Sequence, residues 1–305
     1  MTTASTLTTE AGPAPRGAGL RWARRAAPYL GVVPFGVFVI VFLLWPTYIV
    51  ITGAFEGKDG GFDLSAITEV VTQESHRSAF QKSITISLIT ALAGSVLGAL
   101  LAWAISIGRS NGPLRRASLA GAGVFAQFGG VMLAFAFLAT FGFNGMVTVF
   151  FNDHFGDTFL SDASWLYGLG GLCVVYTFFQ IPLMLIVFLP SVENLRPQWR
   201  EASESLGGTT WEYWRHVGGP ILFPSFIGAA LLLFANAFSA YATAAALVSQ
   251  GSPIVPLQIR GALSSEVALG NASLGKALAL GMVVVVAIVM TGYALLQRRA
   301  SKWSQ

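Results

Sequence analysis

Apolar residues run along this chain in six long blocks, at about 30–52, 84–107, 118–141, 166–190, 221–248 and 274–296. Each block is long enough for an α-helix to cross a hydrocarbon core about 30 Å thick, which takes about 20 apolar residues. No Asp, Glu, Lys or Arg stands in the middle of any block. The pattern predicts an all-α, polytopic membrane protein with six transmembrane helices. Pro34 and Pro46 in the first block and Pro182 in the fourth predict kinks rather than breaks, because freed backbone groups in a membrane helix find local partners. In the second block Ser87, Thr90, Gly94 and Gly98 recur at helical spacing. That stripe of small residues predicts a face against which another helix packs closely.

Composition agrees with the pattern: 54% of the 305 residues are hydrophobic and 10% are charged. Soluble domains carry about 25% charged residues, so a soluble globular class is disfavoured. The net charge of +4 gives no indication of nucleic-acid binding. If the N-terminus lies in the cytoplasm, thirteen Lys and Arg residues fall on the inner side and five on the outer. Both termini are therefore expected to be cytoplasmic. Residues 1–27 read as a disordered basic tail ending in Arg16, Arg21, Arg24 and Arg25. The run that follows is too long for a cleavable signal core and is expected to remain as the first span of a domain covering 28–305. The lone Cys173 cannot form an internal disulfide, and its neighbours lack metal-ligand spacing. Neither a cofactor nor a metal is expected.

The fourth loop, 191–220, is the least featureless polar stretch. Glu201-Ala202-Ser203-Glu204-Ser205-Leu206 favours a short helix, Gly207-Gly208 breaks it, and a second amphipathic segment follows from Thr209 to His216. Thr209 or Thr210 is a suitable N-cap, and Pro220 is expected to close the loop before the fifth span. Trp211, Tyr213 and Trp214 belong to a surface that docks another protein or rests on lipid headgroups.

The loop resembles the EAA motif of binding-protein-dependent ABC transporter permeases. That motif runs Glu-Ala-Ala, three residues, Gly, nine residues, Ile, one residue, Leu-Pro. Glu201, Ala202, Gly207 and Pro220 match; Ser203, Val217 and Gly219 replace Ala, Ile and Leu. The lead-in Leu195-Arg196-Pro197-Gln198-Trp199-Arg200 is also similar to the family, and the likeness covers about 79–297. The resemblance implies a type I ABC importer permease fold in the cell (inner) membrane. It also implies a coupling loop in which Glu201, Ala202, Ser203, Gly207, Val217 and Pro220 meet a separate ATP-binding subunit, with Gly207 as the turn. The chain has no G-x-x-x-x-G-K-[ST] phosphate loop, so hydrolysis is expected in a dimer of partner subunits rather than here. Further partners implied are a second permease subunit, similar or identical, and an extracytoplasmic solute-binding protein.

Polar residues inside the spans mark a candidate translocation path: Gln127 beside Gly129 and Gly130, Thr177 and Gln180 in the fourth span, and Asn236, Ser239 and Thr243 in the fifth. The last three are expected to share one helical face. Each residue reads equally as pore lining or as hydrogen bonding between helices. The stretches Val175–Pro182 and Phe234–Thr243 resemble spermidine/putrescine-type permeases, a group that also includes iron, thiamine, sulfate and phosphonate importers. An ATP-independent secondary transporter or channel is the competing class. It leaves the 191–220 loop unexplained and lacks the intramembrane charges typical of ion coupling.

Overall fold

The computed structural model describes residues 32–57, 61–108, 112–156, 163–248, 254–264 and 272–301. The expected basic tail at 1–27 lies outside them, as do Lys58, Asp59, Arg109, Asp157, Asp162 and Lys302. The chain divides into two units, Met1–Thr52 and Gly53–Gln305. Six helices are long and apolar enough to cross a membrane, so this is a multi-pass membrane protein.

The first unit contributes α1 (Val33–Gly53), which widens into a π-turn at Ile40–Leu44. Pro46 explains the widening. A proline has no N–H to donate, and its ring collides with the carbonyl four residues back. In the wider turn Trp45 donates instead to the carbonyl of Ile40, five residues back. The expected kink near Pro46 therefore takes the form of a π-turn.

The second unit is a helical bundle. Its helices are α2 (Ser65–Thr72), α3 (Glu74–Ile107), α4 (Pro113–Gln127), α5 (Gly130–Phe141), α6 (Met146–Phe155) and α7 (Leu169–Glu193). They continue with α8 (Pro197–Ser205), α9 (Thr210–Ser239), α10 (Ala242–Leu247), α11 (Val255–Ser264) and α12 (Ala272–Ser301). Among the described residues the only β-pairing is an isolated bridge between Glu56 and Phe62.

The small-residue face on α3 packs as expected. Lipid provides no hydrophobic drive between helices, so close fit holds them together. A Cβ on Gly94 would stand 2.4 Å from the Gln180 Cβ, and one on Gly98 would stand 2.5 Å from the Met184 Cβ. The glycines thus let α3 lie directly on α7, and the buried Ser87 and Thr90 return their hydroxyls to their own helix. Of three buried apolar cores among the described residues, two position the site. One gathers Leu133, Leu172, Tyr176, Leu247 and Ile254; the other, nearer the 191–220 loop, gathers Met184, Leu189, Leu222, Leu233 and Phe238.

Two spans differ from the expected blocks. The third block, 118–141, is two helices: α4 stops at Gln127, and α5 starts at Gly130 with φ 68°. The fifth, 221–248, starts earlier, at Thr210, and breaks at Ala240, where the backbone is extended. The breaks adjoin one another, because Thr243 Oγ1 donates to the carbonyl of Gly130 at 3.0 Å. The Tyr176 hydroxyl, buried in the bundle, donates to the carbonyl of Ala240 at 2.6 Å. A carbonyl freed at the end of a helix is costly in hydrocarbon unless paired inside the protein, and that of Ala240 is paired.

Candidate functional site

The 191–220 loop is two helical arms meeting at a tight turn. The first, α8, carries Pro at its start, where a missing N–H costs nothing. It ends at Gly207, whose φ of 81° is open to glycine but unfavourable for other L-residues. Gly208 N–H donates to the carbonyl of Ser203 at 2.9 Å, and Gly207 N–H donates to that of Glu204 at 3.0 Å. This pair of bonds closes the helix C-terminus as a Schellman motif. One residue later Thr209 starts the second arm with a capping box. The Thr209 N–H donates to the Glu212 carboxylate at 2.7 Å, and Glu212 N–H donates back to the Thr209 hydroxyl at 3.3 Å. Two caps back to back make the apex stiff. Of the two expected cap candidates, Thr209 is the one used.

The second arm is not separated from the fifth span. It passes through a π-turn, Trp214–Gly218, and continues as the long helix to Ser239. Pro220, expected to close the loop, instead lies within this helix and has the same effect as Pro46. Gly219 N–H reaches back to the carbonyl of Trp214, five residues away. The widened turn lets the helix continue past a proline.

Ala202, Ser203, Gly207 and Val217 come together along one cleft of about 520 Å³, which Trp199, Leu206 and Ile221 also line. Glu201 and Pro220 lie outside that lining, both exposed. Arg200 and Glu204 pair along α8 at 2.8 Å, whereas the Glu201 carboxylate makes no hydrogen bond or ion pair among the described residues. Sequence reasoning passed over Leu206 as an anchor. It stands at the apex with 90% of its surface exposed, and Trp211 on the second arm is 71% exposed. The exposed Leu206 and Trp211 give this polar loop an apolar surface of the kind that protein interfaces cover. The signal for Leu206 was its place directly before a helix-ending glycine.

The path candidates separate by where their donors go. Gln180 is fully buried and its Nε2 donates to the carbonyl of Leu233 at 2.8 Å, joining α7 to α9. Thr243 is buried at the junction of the two breaks, on α10 rather than α9, so it does not share the face of Asn236 and Ser239. Thr177 donates to the carbonyl of Cys173 within its own helix at 2.8 Å. Asn236, Ser239 and Gln127 are exposed on the bundle surface.

No family model matches the chain. It is similar to the thiamine transport permease ThiP of Escherichia coli, 28% identical over 139 residues, covering 45% of this chain and 24% of that one. It is similar also to the E. coli sulfate transport permease CysT, at 25% over 57% of this chain and 59% of that one. A sulfate transport permease CysW of Synechocystis is 22% identical over 83% of this chain and 87% of its own length. The chain thus spans a quarter of the first relative and about three fifths of the second. Among solved structures, a bacterial alginate ABC transporter in complex with an alginate-bound periplasmic protein superposes with TM-score 0.68 at 17% identity, over 93% of this chain and 98% of that chain. The methionine transporter MetNI in an inward-facing state superposes with TM-score 0.51 at 16% identity, over 75% of this chain and 99% of that chain. The chain has the fold of ABC importer permeases. In sequence it is similar to transport system permease proteins for thiamine and sulfate.

Proposed function

We propose that the chain is the membrane-spanning permease subunit of an ATP-driven importer and that it performs no hydrolysis itself. One observation carries the reading: the loop with the EAA spacing is a rigid, doubly capped apex exposing Leu206, Trp211 and an unpaired Glu201 beside a cleft. A lipid-resting loop has no use for a stiff apex, whereas a joint that transmits force does. The ATP-binding subunits dock at 191–220 on the cytoplasmic side, with both termini on that side as the Lys and Arg distribution favours. A second permease subunit completes the path, and an extracytoplasmic binding protein delivers the solute. Asn236, Ser239 and Gln127 line the path, because an amide or hydroxyl facing lipid is costly. ATP-driven closure of the docked subunits tilts the spans and opens the path to alternate sides.

For the solute we favour a polyamine. The stretches around Gln180 and Asn236 support it, as does 32% identity over 87 residues to a spermidine/putrescine permease PotC homolog of Mycoplasma genitalium. Thiamine and sulfate are the alternatives that other relatives raise.

The test is co-purification of the permease with its ATP-binding subunits, followed by uptake of labelled spermidine, thiamine and sulfate into proteoliposomes holding the whole transporter. Glu201→Ala is expected to weaken both subunit recovery and uptake while membrane insertion stays normal. Wild-type recovery and uptake from that variant would overturn the docking assignment, and uptake without any ATP-binding subunit would favour the secondary-transporter class.

A further inference from the structure

The two arms of the loop are prolongations of α7 and α9 alone. Chain connectivity delivers a push on the apex to those two helices, and the packing of α3 on α7 at Gly94 and Gly98 passes it to α3 only deeper in the bundle. Two lateral contacts close to the loop change this. Trp214, in the π-turn, meets Trp103 near the end of α3 edge to face, with ring centroids 6.3 Å apart and planes at 80°. The Trp214 ring is backed by Tyr213 at 5.5 Å and by Gly218, where a Cβ would come within 2.8 Å of the indole. It is a wedged, rigid lever rather than a loose surface ring. On the other arm Glu193, the last residue of α7, accepts from Arg115 in the first turn of α4, at 3.2 Å from Nε and also from a terminal guanidinium nitrogen. Partly exposed ion pairs add little to stability, so the contribution of this one is geometric: two guanidinium nitrogens converge on one Glu193 oxygen and pin the start of α4 to the end of α7.

We propose that Trp103 and Arg115 are positioning residues that tie α3 and α4 to the loop, so that a push at its apex moves four helices as one body. The proposal rests on the docking reading above.

The experiment uses the whole transporter in nanodiscs, with Cys173→Ala as background and spin labels on Ser205→Cys and Ile107→Cys. With the ties intact, the distance between loop and α3 stays narrow and the same with and without ATP. Trp103→Ala is expected to broaden that distribution and make it shift with nucleotide, while Trp103→Phe, which keeps a ring edge, restores it. For the second tie, a label on Ala120→Cys replaces Ile107→Cys. Arg115→Glu should loosen it, and Arg115→Glu with Glu193→Arg should tighten it again. A Trp103→Ala distribution as narrow and nucleotide-independent as the parent overturns the aromatic tie, and charge reversal without effect overturns the ionic one. Failure of the docking reading looks different: the parent itself would not retain the ATP-binding subunits.

Discussion

Gly207 allows conformation and bulk to be separated. Its φ of 81° is unfavourable for a side chain, yet a Cβ there would meet nothing within 4 Å. Any effect of substitution is therefore backbone strain. The left-handed conformation costs an ordinary L-residue about 1–2 kcal/mol, and Asn less because it tolerates that region. If the chain relaxes to negative φ instead, the bonds from Gly207 to Glu204 and from Gly208 to Ser203 break, and α8 swings away from the second arm. About 1–2 kcal/mol is a 5- to 30-fold change in the fraction of loops holding the native apex. Gly207→Val is expected to weaken binding of the ATP-binding subunit by about that factor, Gly207→Ala by the lower end, and Gly207→Asn least. The assay is titration of the isolated subunit onto permease in nanodiscs, with thermal unfolding of each variant as control. Spans far from the apex should melt as in the parent. Equal affinities for Gly207→Asn and Gly207→Val would refute the argument, since the two differ mainly in tolerance of positive φ.

Gly98→Ala should destabilise the bundle by about 1–3 kcal/mol, because its Cβ would lie 2.5 Å from the Met184 Cβ and 2.7 Å from the Ile181 carbonyl. Gly292→Ala, with open space around it, should instead gain up to about 1 kcal/mol of helix propensity; thermal unfolding in detergent reads both signs. Thr243→Val should lower stability by removing the hydroxyl bond that ties α10 to the start of α5, whereas Asn236→Ala should reduce transport with unfolding unchanged. Paired unfolding and uptake measurements separate the two. Thr209→Ala removes half of the capping box, for about 1 kcal/mol, and should speed hydrogen exchange over 209–213 in the otherwise intact protein.

The spans were legible because membrane helices must be apolar over a fixed length, and the stripe from Ser87 to Gly98 because only small residues permit such an approach. The apex was legible from Gly207 and from Thr209 with Glu212 three residues on, since caps are local chemistry. The break after Gln127 had a local sign in Gly129-Gly130. The break at Ala240 had none: Phe238-Ser239-Ala240-Tyr241 holds neither Gly nor Pro. Its causes are Tyr176, 64 residues earlier, taking the Ala240 carbonyl, and Ser239 bonding back to its own helix at Ala235. A long-range partner overrode a sequence that would otherwise continue as helix. The continuity of the second arm with the fifth span was hidden for the opposite reason. Pro220 marks a helix start in most settings, and nothing local announces that a π-turn will carry the helix through it.

That continuity changes where bending can occur. A knob hinged at Gly207 would absorb a push at its apex, but the Schellman bonds and the capping box leave little freedom there. The wide turn at 214–218 interrupts the regular ladder of α9, and Gly218 at its end leaves room for the Trp214 ring. Its one large ring, Trp214, is held from the side by Trp103. Further along, the same helix is interrupted again at Ala240, beside the break in the third span. The segment between, Gly219–Ser239, carries the exposed Asn236 and Ser239 and is bounded by an irregular turn at each end. The buried Gln180 amide holds this segment to α7 at the Leu233 carbonyl. The glycine apex thus serves as a rigid handle, and the packed ring of Trp214 in the π-turn links its movement to α3 as well as to α9.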